Sequence, residues 1–406
     1  MHINKLHFIS TALLVAAILS GSGCKENMSL LPVKETSLPP ISDHLVTPVL
    51  GEVTTQPRPV KLSDGKYHLM YELRVNNLVS SAMQLEKLVL QDPLNGNAVI
   101  AEFNAEDLTK YLHMQKPNGP TNVLKPNETG LINITLTIDA DKLPAAIDHV
   151  LTVKTDKPSG IILAETTERI ARIAVSTEKP VVIGPPLKGN GWVAVNVSDN
   201  YGHRNALSPI DGKLYVPERW AVDWGLLTDD NRFFSGDRFN LNNYPSYNQD
   251  LIAVKTGRVL KVVDQFDDLE IDGVLKNISF DNAGGNYVVL DIGDGYSAFY
   301  AHLIKGTVAV KEGDMVQKGQ VIGKLGNTGN STMPHLHFHV VKGTNAMFSD
   351  GVPYVIDNFN VSGQVTSDKI MEKGTLNGQI LPITHDFTGA HSNEMVADLT
   401  VVNFPN

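Results

Sequence analysis

Apolar residues recur at every second position in two long stretches of the chain, and this pattern constrains the fold more than any other feature. The stretches are KYHLMYELRVNN (residues 66–77) and GLINITLTID (residues 130–139). Because successive side chains of a strand point to opposite faces, the alternation is typical of half-buried antiparallel strands. We therefore predict a mainly β protein in which residues 46–180 form an immunoglobulin-like β-sandwich.

Size and charge narrow the class of protein. The chain has 406 residues, of which 42% are hydrophobic, so we expect two or three domains with real cores. The formal net charge is -10 at pH 7, and no long run of Lys or Arg offsets it. An acidic chain of this kind is poorly suited to nucleic acid, and we expect no nucleic-acid partner.

The first 24 residues have the pattern of a targeting segment. Lys5 precedes an apolar run that ends in small residues before Cys24, and the run is short for a membrane span. Cys24 is the only cysteine, which excludes an intramolecular disulfide. The arrangement resembles a bacterial lipoprotein signal; the alternative is an ordinary signal peptide with an incidental cysteine.

The lipoprotein resemblance implies a signal peptide over residues 1–23, lipidation of Cys24 and a tether over residues 24–45 rich in Pro, Ser and Thr. A single lipidated end would anchor the protein to a membrane without spanning it. The implied location is the cell envelope, where the protein would be an exported outer-membrane lipoprotein facing the periplasm.

A stretch rich in Pro and Gly, KPVVIGPPLKGNG (residues 179–191), indicates a boundary between domains. Beyond it the chain is again strand-rich, with short apolar segments separated by glycines, as in VKEGDMVQKGQVIGKLGNTG. We predict a second β domain over residues 181–345. Residues 346–406 are predicted to form a β extension that packs back on that domain.

Three histidines alternate in PHLHFHVV (residues 334–341). In an extended strand His335, His337 and His339 share one face, and the intervening apolar residues pack on the other. This geometry suits a metal ion with a neighbouring acid or base, and the alternative is a polar strand face without chemistry. A zinc ion that activates water needs three protein ligands and an open position, and no cysteine is available beyond Cys24 to supply one.

Two further segments carry candidate site residues. In RWAVDWGLL (residues 219–227) Asp223 alternates with apolar residues, so it is predicted on a strand whose opposite face is buried. In FYAHL (residues 299–303) Tyr300 and His302 are predicted to share one strand face.

The YAHL block and the run VKEGDMVQKGQVIGKLGNTGNSTMPHLHFHV together resemble the M23 (LytM/lysostaphin-like) zinc metallopeptidases. The resemblance extends over about residues 201–341 and implies that residues 181–345 are an M23 domain. It implies catalytic roles for His302 and His335. It also implies that His337 is a zinc ligand and that Asp223 matches the zinc-binding Asp of the family's HxxxD motif.

The sequence departs from the family pattern at one ligand position. HxxxD requires His at position 219, where this chain has Arg219, and a guanidinium does not ligate zinc because it stays protonated. His203 in DNYGHRNAL is the predicted substitute, which gives a ligand set of His203, Asp223 and His337. The alternative is a loop histidine without metal and an ion pair between Arg219 and Asp223.

Three other features remain open at this point. His339 is either a partner that holds a catalytic group in one tautomer or a surface residue at the strand end. Tyr300 is either an oxyanion contact or a core tyrosine. Residues 227–250, rich in Asn, Asp and aromatic residues, are predicted to form a long loop beside the cleft, as a lid, a substrate wall or a decoration.

The family resemblance implies a zinc-dependent metalloendopeptidase that hydrolyses peptide bonds, with the peptides of peptidoglycan cross-links as substrate and partner. Because no HExxH motif is present, His302 and His335 are left to move the proton of the attacking water or to stabilise the oxyanion. The alternative is a catalytically inactive M23-like module that binds or regulates cell-wall hydrolases.

Overall fold

The computed structural model describes residues 47–406 except 115–118, 161, 198–200, 274 and 367–376. The predicted signal peptide, the lipidation site Cys24, the predicted tether over residues 24–45 and the first residue of the predicted sandwich lie outside the described residues. Within the described part, no helix combines the length and the apolar character needed to cross a bilayer. All described residues fall in one compact unit, Pro40–Asn406.

The N-terminal part consists of two antiparallel sheets with five strands each. Its strands are β1 (Val49–Val53), β2 (Val60–Lys61), β3 (Tyr67–Asn77), β4 (Met83–Asp92), β5 (Ala98–Asn104), β6 (Leu112–His113), β7 (Val123–Leu124), β8 (Thr129–Ile138), β9 (Ala146–Thr155) and β10 (Glu165–Ala174). One sheet has the order β1-β3-β8-β6 with β2 beside β3, and the other has the order β10-β9-β4-β5 with β7 beside β4. A helix α1 (Ala105–Tyr111) and a 3-10 helix (Ala140–Lys142) connect strands.

The two N-terminal sheets share one hydrophobic core. Leu69 and Ile134 come from one sheet and Leu88 and Leu151 from the other, and all four are almost fully buried. Burying each such side chain contributes about 1.5–3 kcal/mol. This is a sandwich built on the predicted alternation; its immunoglobulin-like type stays a prediction.

Strand β3 departs from the expectation of half-burial, because its second face is also covered. Tyr71 and Leu73 face the sandwich core, as the alternation predicts. Met70, on the other face, belongs to the core of the C-terminal part, and its neighbour Glu72 has no exposed surface. The C-terminal part therefore packs on this sheet and encloses a carboxylate.

The C-terminal part is dominated by one twelve-stranded sheet. The remaining strands of the chain are β11 (Val181–Ile183), β12 (Gly189–Val195), β13 (Ser208–Ile210), β14 (Lys213–Tyr215), β15 (Val222–Leu226), β16 (Asp250–Ile252), β17 (Gly257–Val263), β18 (Tyr287–Gly293), β19 (Tyr296–Ala301), β20 (Met315–Val316), β21 (Val321–Lys324), β22 (Leu336–Lys342), β23 (Asp350–Gly351), β24 (Tyr354–Ile356), β25 (Phe359–Val365), β26 (Ile383–Thr384), β27 (Gly389–His391) and β28 (Thr400–Phe404). A one-turn helix α2 (Tyr201–Arg204) and a 3-10 helix (Leu241–Asn243) also belong to this part.

The order of the large sheet places the histidine strand near its centre. The order is β20-β17-β18-β19-β22-β15-β12-β28-β25-β26, with β23 beside β22 and β27 beside β25. The alternate residues Leu336, Phe338 and Val340 of β22 are fully buried in the core together with Trp224 of β15. The opposite face of these two strands therefore carries His337 and Asp223.

The predicted C-terminal extension is part of the same sheet. Strand β28 pairs antiparallel with β12, and β25 pairs with β28. Val402 and Phe404 of β28 lie in the same hydrophobic core as Trp192 of β12. The extension thus continues the sheet that holds the histidine strand.

Candidate metal centre

Asp223 and His337 face each other across two paired strands. They are direct partners in the register of β15 and β22, and Oδ1 of Asp223 lies 3.1 Å from Nδ1 of His337. The other carboxylate oxygen of Asp223 accepts a hydrogen bond of 2.7 Å from Nδ2 of Asn196. The sheet and this hydrogen bond together fix the plane of the carboxylate.

His203 reaches the same carboxylate from outside the sheet. It lies in the one-turn helix α2, and its Nε2 is 3.3 Å from Oδ2 of Asp223. Its Nδ1 lies 3.2 Å from the carbonyl oxygen of Asn196. His203, Asp223 and His337 each offer one ligand atom, and these atoms lie within 4.8 Å of one another. The structure thus brings together the three residues of the predicted ligand set.

His302 and His335, the two predicted catalytic residues, lie beside this group. Their ring centroids are 4.7 Å apart, and Nε2 of His335 is 3.5 Å from Oδ1 of Asp223. Nδ1 of His302 is 2.7 Å from the carbonyl oxygen of Thr328, and Nδ1 of His335 is 2.8 Å from that of Met333. All five predicted catalytic and ligand residues therefore form one cluster.

The hydrogen bonds to carbonyl oxygens define which nitrogen of each ring carries a proton. A carbonyl oxygen only accepts, so Nδ1 of His203, His302 and His335 is the protonated atom. The Nε2 atom of each ring is then the one that either takes up a second proton or binds a metal ion. For His203 and His335 that atom is the one closest to Asp223.

His337 reaches the equivalent state through His339. Nε2 of His339 is 3.1 Å from the carbonyl oxygen of Ala346, which makes this nitrogen the donor and leaves Nδ1 as acceptor. That Nδ1 lies 2.9 Å from Nε2 of His337, so His337 donates there, and its own Nδ1, which faces Asp223, is the atom that either carries a proton or binds a metal ion. His339 has no exposed surface, so the alternative of a surface histidine is wrong.

The cluster is electrostatically suited to a cation. Burial alone would raise the pKa of Asp223, but the neighbouring His203 and His335 outweigh it and hold that pKa well below its usual range. Burial lowers the pKa of His203, yet the charge of Asp223 more than compensates and raises it to about 9. A positive charge is therefore favoured between these side chains, and lone pairs of imidazole nitrogens and a carboxylate oxygen are the donor set that zinc prefers.

Burial has the opposite effect on the predicted catalytic pair. It lowers the pKa of His302 well below the usual range, and the charges of His335 and His337 lower it further. The pKa of His335 is also lowered, mainly by burial and against the influence of Asp223. Both rings are held neutral, the state in which an imidazole can accept a proton.

Tyr300 does not lie where the sequence predicted. It pairs with Phe338 on the face opposite to His337, and its hydroxyl accepts a 2.8 Å hydrogen bond from the backbone N–H of Val254 inside the core. Tyr300 is therefore a core residue, and its proposed oxyanion contact and the face shared with His302 are wrong. His302 follows β19 with φ of +69°, in the left-handed region, and this turn directs its ring to the histidine side.

Arg219 is not paired with Asp223, so that part of the alternative interpretation is also wrong. It lies in a turn before β15, which begins only at Val222, and its guanidinium pairs with Glu72 at 2.8 Å and Asp350 at 3.2 Å. Arg219, which stands at the position of the motif histidine, therefore contacts Glu72 and Asp350 instead of the histidine cluster.

Two contacts near the site had no sequence signal. Asn196 binds Asp223 with its side chain and His203 with its carbonyl oxygen, and it adopts a φ of +64° in a loop without periodicity. In the long loop 227–250, Phe233, Phe234 and Tyr244 are buried against C-terminal strands. Ser246 of this loop donates to the carbonyl oxygen of Pro334, so the loop supports the segment that precedes His335.

Comparison with known proteins identifies a family match that covers part of this cluster. Residues 245–349 match the model of Peptidase family M23. This segment contains His302, His335 and His337, whereas His203 and Asp223 lie before it. The chain thus carries a Peptidase M23 domain with LytM/lysostaphin-like homologues, a family of zinc metallopeptidases.

Curated relatives match over a short segment. The peptidoglycan DD-endopeptidase ShyA of Vibrio cholerae is 46% identical over 70 residues, which are 17% of this chain and 16% of that protein. Lysostaphin of Staphylococcus simulans is 44% identical over 75 residues, which are 18% of this chain and 15% of that protein. The chain thus covers less than a fifth of the length of these relatives.

Solved structures with some likeness include the catalytic domain of the prophage-encoded M23 protein EnpA from Enterococcus faecalis. It is 20% identical, with a TM-score of 0.25 over 41% of this chain and 92% of that one. A zinc-containing peptidase from Vibrio cholerae is 15% identical, with a TM-score of 0.23 over 72% of this chain and 83% of that one.

Proposed function

We propose that this protein is a zinc-dependent metalloendopeptidase. The observation that carries the proposal is the convergence of one potential ligand atom from each of His203, Asp223 and His337 within 4.8 Å, beside a pair of neutral histidines. His203 takes the role of the ligand that the family motif places at position 219. Three ligands leave a fourth position open, as in catalytic rather than structural zinc sites.

A zinc ion held by Nε2 of His203, a carboxylate oxygen of Asp223 and Nδ1 of His337 would supply a Lewis acid that acidifies water and polarises a carbonyl group. His302 and His335 present their Nε2 lone pairs to the same space and are the groups that accept and return a proton. Thr328 and Met333 hold these rings in that tautomer through their carbonyl oxygens. Protonated His302 or His335 could also stabilise the oxyanion.

The proposed substrate is the peptide part of peptidoglycan. ShyA is a peptidoglycan DD-endopeptidase by name and lysostaphin is a further relative, each similar to this chain over 70 and 75 residues respectively. The proposed setting is the cell envelope, with the membrane reached through a lipid on Cys24. No nucleic-acid partner is part of the proposal.

The experiment is to measure the zinc content of the purified full chain and its release of peptides from isolated peptidoglycan, beside a His337→Ala variant. We expect one zinc ion per wild-type chain and hydrolysis that the variant lacks. Zinc binding without hydrolysis would favour the second candidate function, an inactive module that binds cell-wall material or regulates hydrolases. Absence of zinc after supplementation would overturn the metallopeptidase proposal.

A further inference from the structure

We propose that Glu72, in the N-terminal sandwich, is a positioning residue for the metal centre, and that the sandwich is therefore a working part of the peptidase. The inference rests on the proposed function, because it concerns the same His203 and Asp223. It assigns to the N-terminal part a task that neither the family match over residues 245–349 nor the named relatives describe.

Glu72 holds two arginines of the C-terminal part at once. Its side chain has no exposed surface, and its Oε2 accepts a 2.8 Å hydrogen bond from Arg219 while Oε1 accepts one of 3.0 Å from Arg204. Nε of Arg219 lies 3.1 Å from both oxygens. Each arginine side chain is 2% exposed, so the three charges are removed from water together.

Arg204 connects this ion cluster to the ligand His203. The two residues are neighbours in α2, a helix of four residues that is too short to be stable by itself. Besides Glu72, Arg204 donates to the carbonyl oxygen of Tyr71 at 2.6 Å and to Oγ1 of Thr135 at 2.9 Å, both in the sandwich. The position of the His203 ring therefore depends on contacts with the N-terminal part.

Arg219 connects the ion cluster around Glu72 to the proposed ligand Asp223. It lies in the turn that leads into β15, and it also donates to the carbonyl oxygen of Gly351 at 2.9 Å. Gly351 pairs with Val341 of β22, the strand that carries His337. A Cβ at Gly351 would meet the carbonyl oxygen of Pro217 at 2.2 Å, which shows how closely this turn is packed. Arg219 thus fixes the start of β15 against β22 and against the sandwich.

The charge balance makes Glu72 the centre of this arrangement. Burial raises its pKa, but the two guanidinium groups outweigh that effect and lower the pKa to about 2, so the carboxylate is ionised at working pH. Removing its charge would leave two buried cations without their shared partner, and they could regain water only by moving. Movement of Arg204 and Arg219 would shift His203 and Asp223 away from the positions in which they face His337.

The test measures zinc affinity of the full chain by chelator competition, for wild type, Glu72→Gln and Glu72→Asp. Glu72→Gln removes the charge, and Glu72→Asp keeps it on a side chain too short to reach both arginines. We expect each variant to bind zinc about 10- to 100-fold more weakly, the loss that follows when groups orienting a ligand are removed. Folded variants with wild-type zinc affinity would overturn the inference.

A matched control is available inside the sandwich. Asp148 is also fully buried, and it binds Nε of Arg172 at 2.5 Å, but both residues belong to the β9–β10 pair. Asp148→Asn makes the same carboxylate-to-amide change and should keep wild-type zinc affinity. An equal loss of zinc affinity in Asp148→Asn would show that general destabilisation explains the result and would overturn the inference.

A measurement on the wild type covers the case in which the Glu72 variants fail to fold. If the sandwich positions the ligands, zinc must in turn stabilise the sandwich contact, because coupling between two sites is reciprocal. Addition of zinc should therefore slow hydrogen exchange in the segment around Tyr71 and Glu72, and unchanged exchange there would overturn the inference. A wild-type chain that binds no zinc would instead overturn the proposed function, and this inference with it.

Discussion

Oδ1 of Asp223 lies 3.1 Å from Nδ1 of His337, although the two residues are 114 positions apart in the chain. Strands β15 and β22 pair them residue against residue, so the backbone hydrogen bonds of the sheet set this distance. Two rigid strands therefore supply two of the proposed ligands, and the third comes from a short helix at the sandwich. The first prediction concerns this third proposed ligand, His203.

Replacement of His203 by Ala is expected to abolish stoichiometric zinc binding. The loss should exceed the about 10- to 100-fold weakening that changes around a ligand cause, because a ligand itself is removed. Zinc content and a zinc titration measure it. His385→Ala is the matched control, since His385 is exposed and binds the carbonyl oxygen of Ser362, far from the cluster in the sheet order. Full zinc content in His203→Ala would rule out its role as a ligand.

Replacement of His335 by Ala is expected to reduce peptide hydrolysis while zinc remains bound. Its Nε2 is a proposed proton acceptor, and loss of such a group lowers turnover by about 100- to 10,000-fold. Zinc content and hydrolysis rate, measured on the same preparation, separate the two effects. Loss of zinc in parallel with activity would place His335 among the ligands. The same pair of measurements applies to His302→Ala.

Replacement of His339 by Leu is expected to weaken zinc binding by about 10- to 100-fold, because the acceptor that fixes the tautomer of His337 is lost. His339 has no exposed surface, so bulk solvent does not reach its position in the folded protein. His339→Asn keeps an acceptor oxygen near the position of Nδ1, and its loss of affinity should be smaller. Equal zinc affinities of both variants and the wild type would contradict the proposal that His339 fixes the tautomer of His337.

His149 is expected to make the sandwich sensitive to mild acid. Burial lowers its pKa to about 4, against hydrogen bonding to the carbonyl oxygen of Ala171 and the charge of Asp148. Because the folded pKa lies below the unfolded value of about 6.5, the unfolded chain takes up the proton first as pH falls. The free energy of unfolding should therefore decrease by about 3 kcal/mol between pH 6.5 and 4 through this residue alone.

Denaturant titrations of wild type and His149→Gln across this pH range measure the contribution. The variant should lose less stability between pH 7 and 4 than the wild type, whatever its stability at pH 7. His385→Gln, an exposed change of the same kind, should keep the wild-type pH dependence. Parallel curves for wild type and His149→Gln would show that His149 is not the acid-sensitive group.

The sequence predicted those features that depend on alternation within one strand. His337 and His339 share a face of β22, and the alternating residues Leu336, Phe338 and Val340 fill the core, because a strand has a period of two. The same rule failed at Tyr300 and His302, since the strand ends at Ala301 and His302 has a positive φ. Periodicity carries no information on where a strand stops.

Features that depend on contacts between distant segments were not predictable. Glu72 occupies a polar position in an alternating strand, which normally indicates a solvent-exposed face, yet it is fully buried by the C-terminal part. Asn196 was missed because its contacts with His203 and Asp223 arise from a loop. His203 could be proposed as a ligand only because Arg219 departs from the HxxxD pattern and His203 lies upstream of the Asp223 strand.

The pairing of β12 with β28 has a consequence for the order in which the protein can form. Gly191 and Asn403, hydrogen-bonded neighbours across these strands, are 212 positions apart in the chain. Because β12 is also the partner of β15, the strand that bears Asp223 has a complete neighbour only after residues 400–404 have joined the sheet. Contacts of such sequence separation form slowly. The sheet that bears Asp223 and His337 is therefore incomplete until residues 400–404 have joined it, and we expect the candidate metal centre to form late in folding.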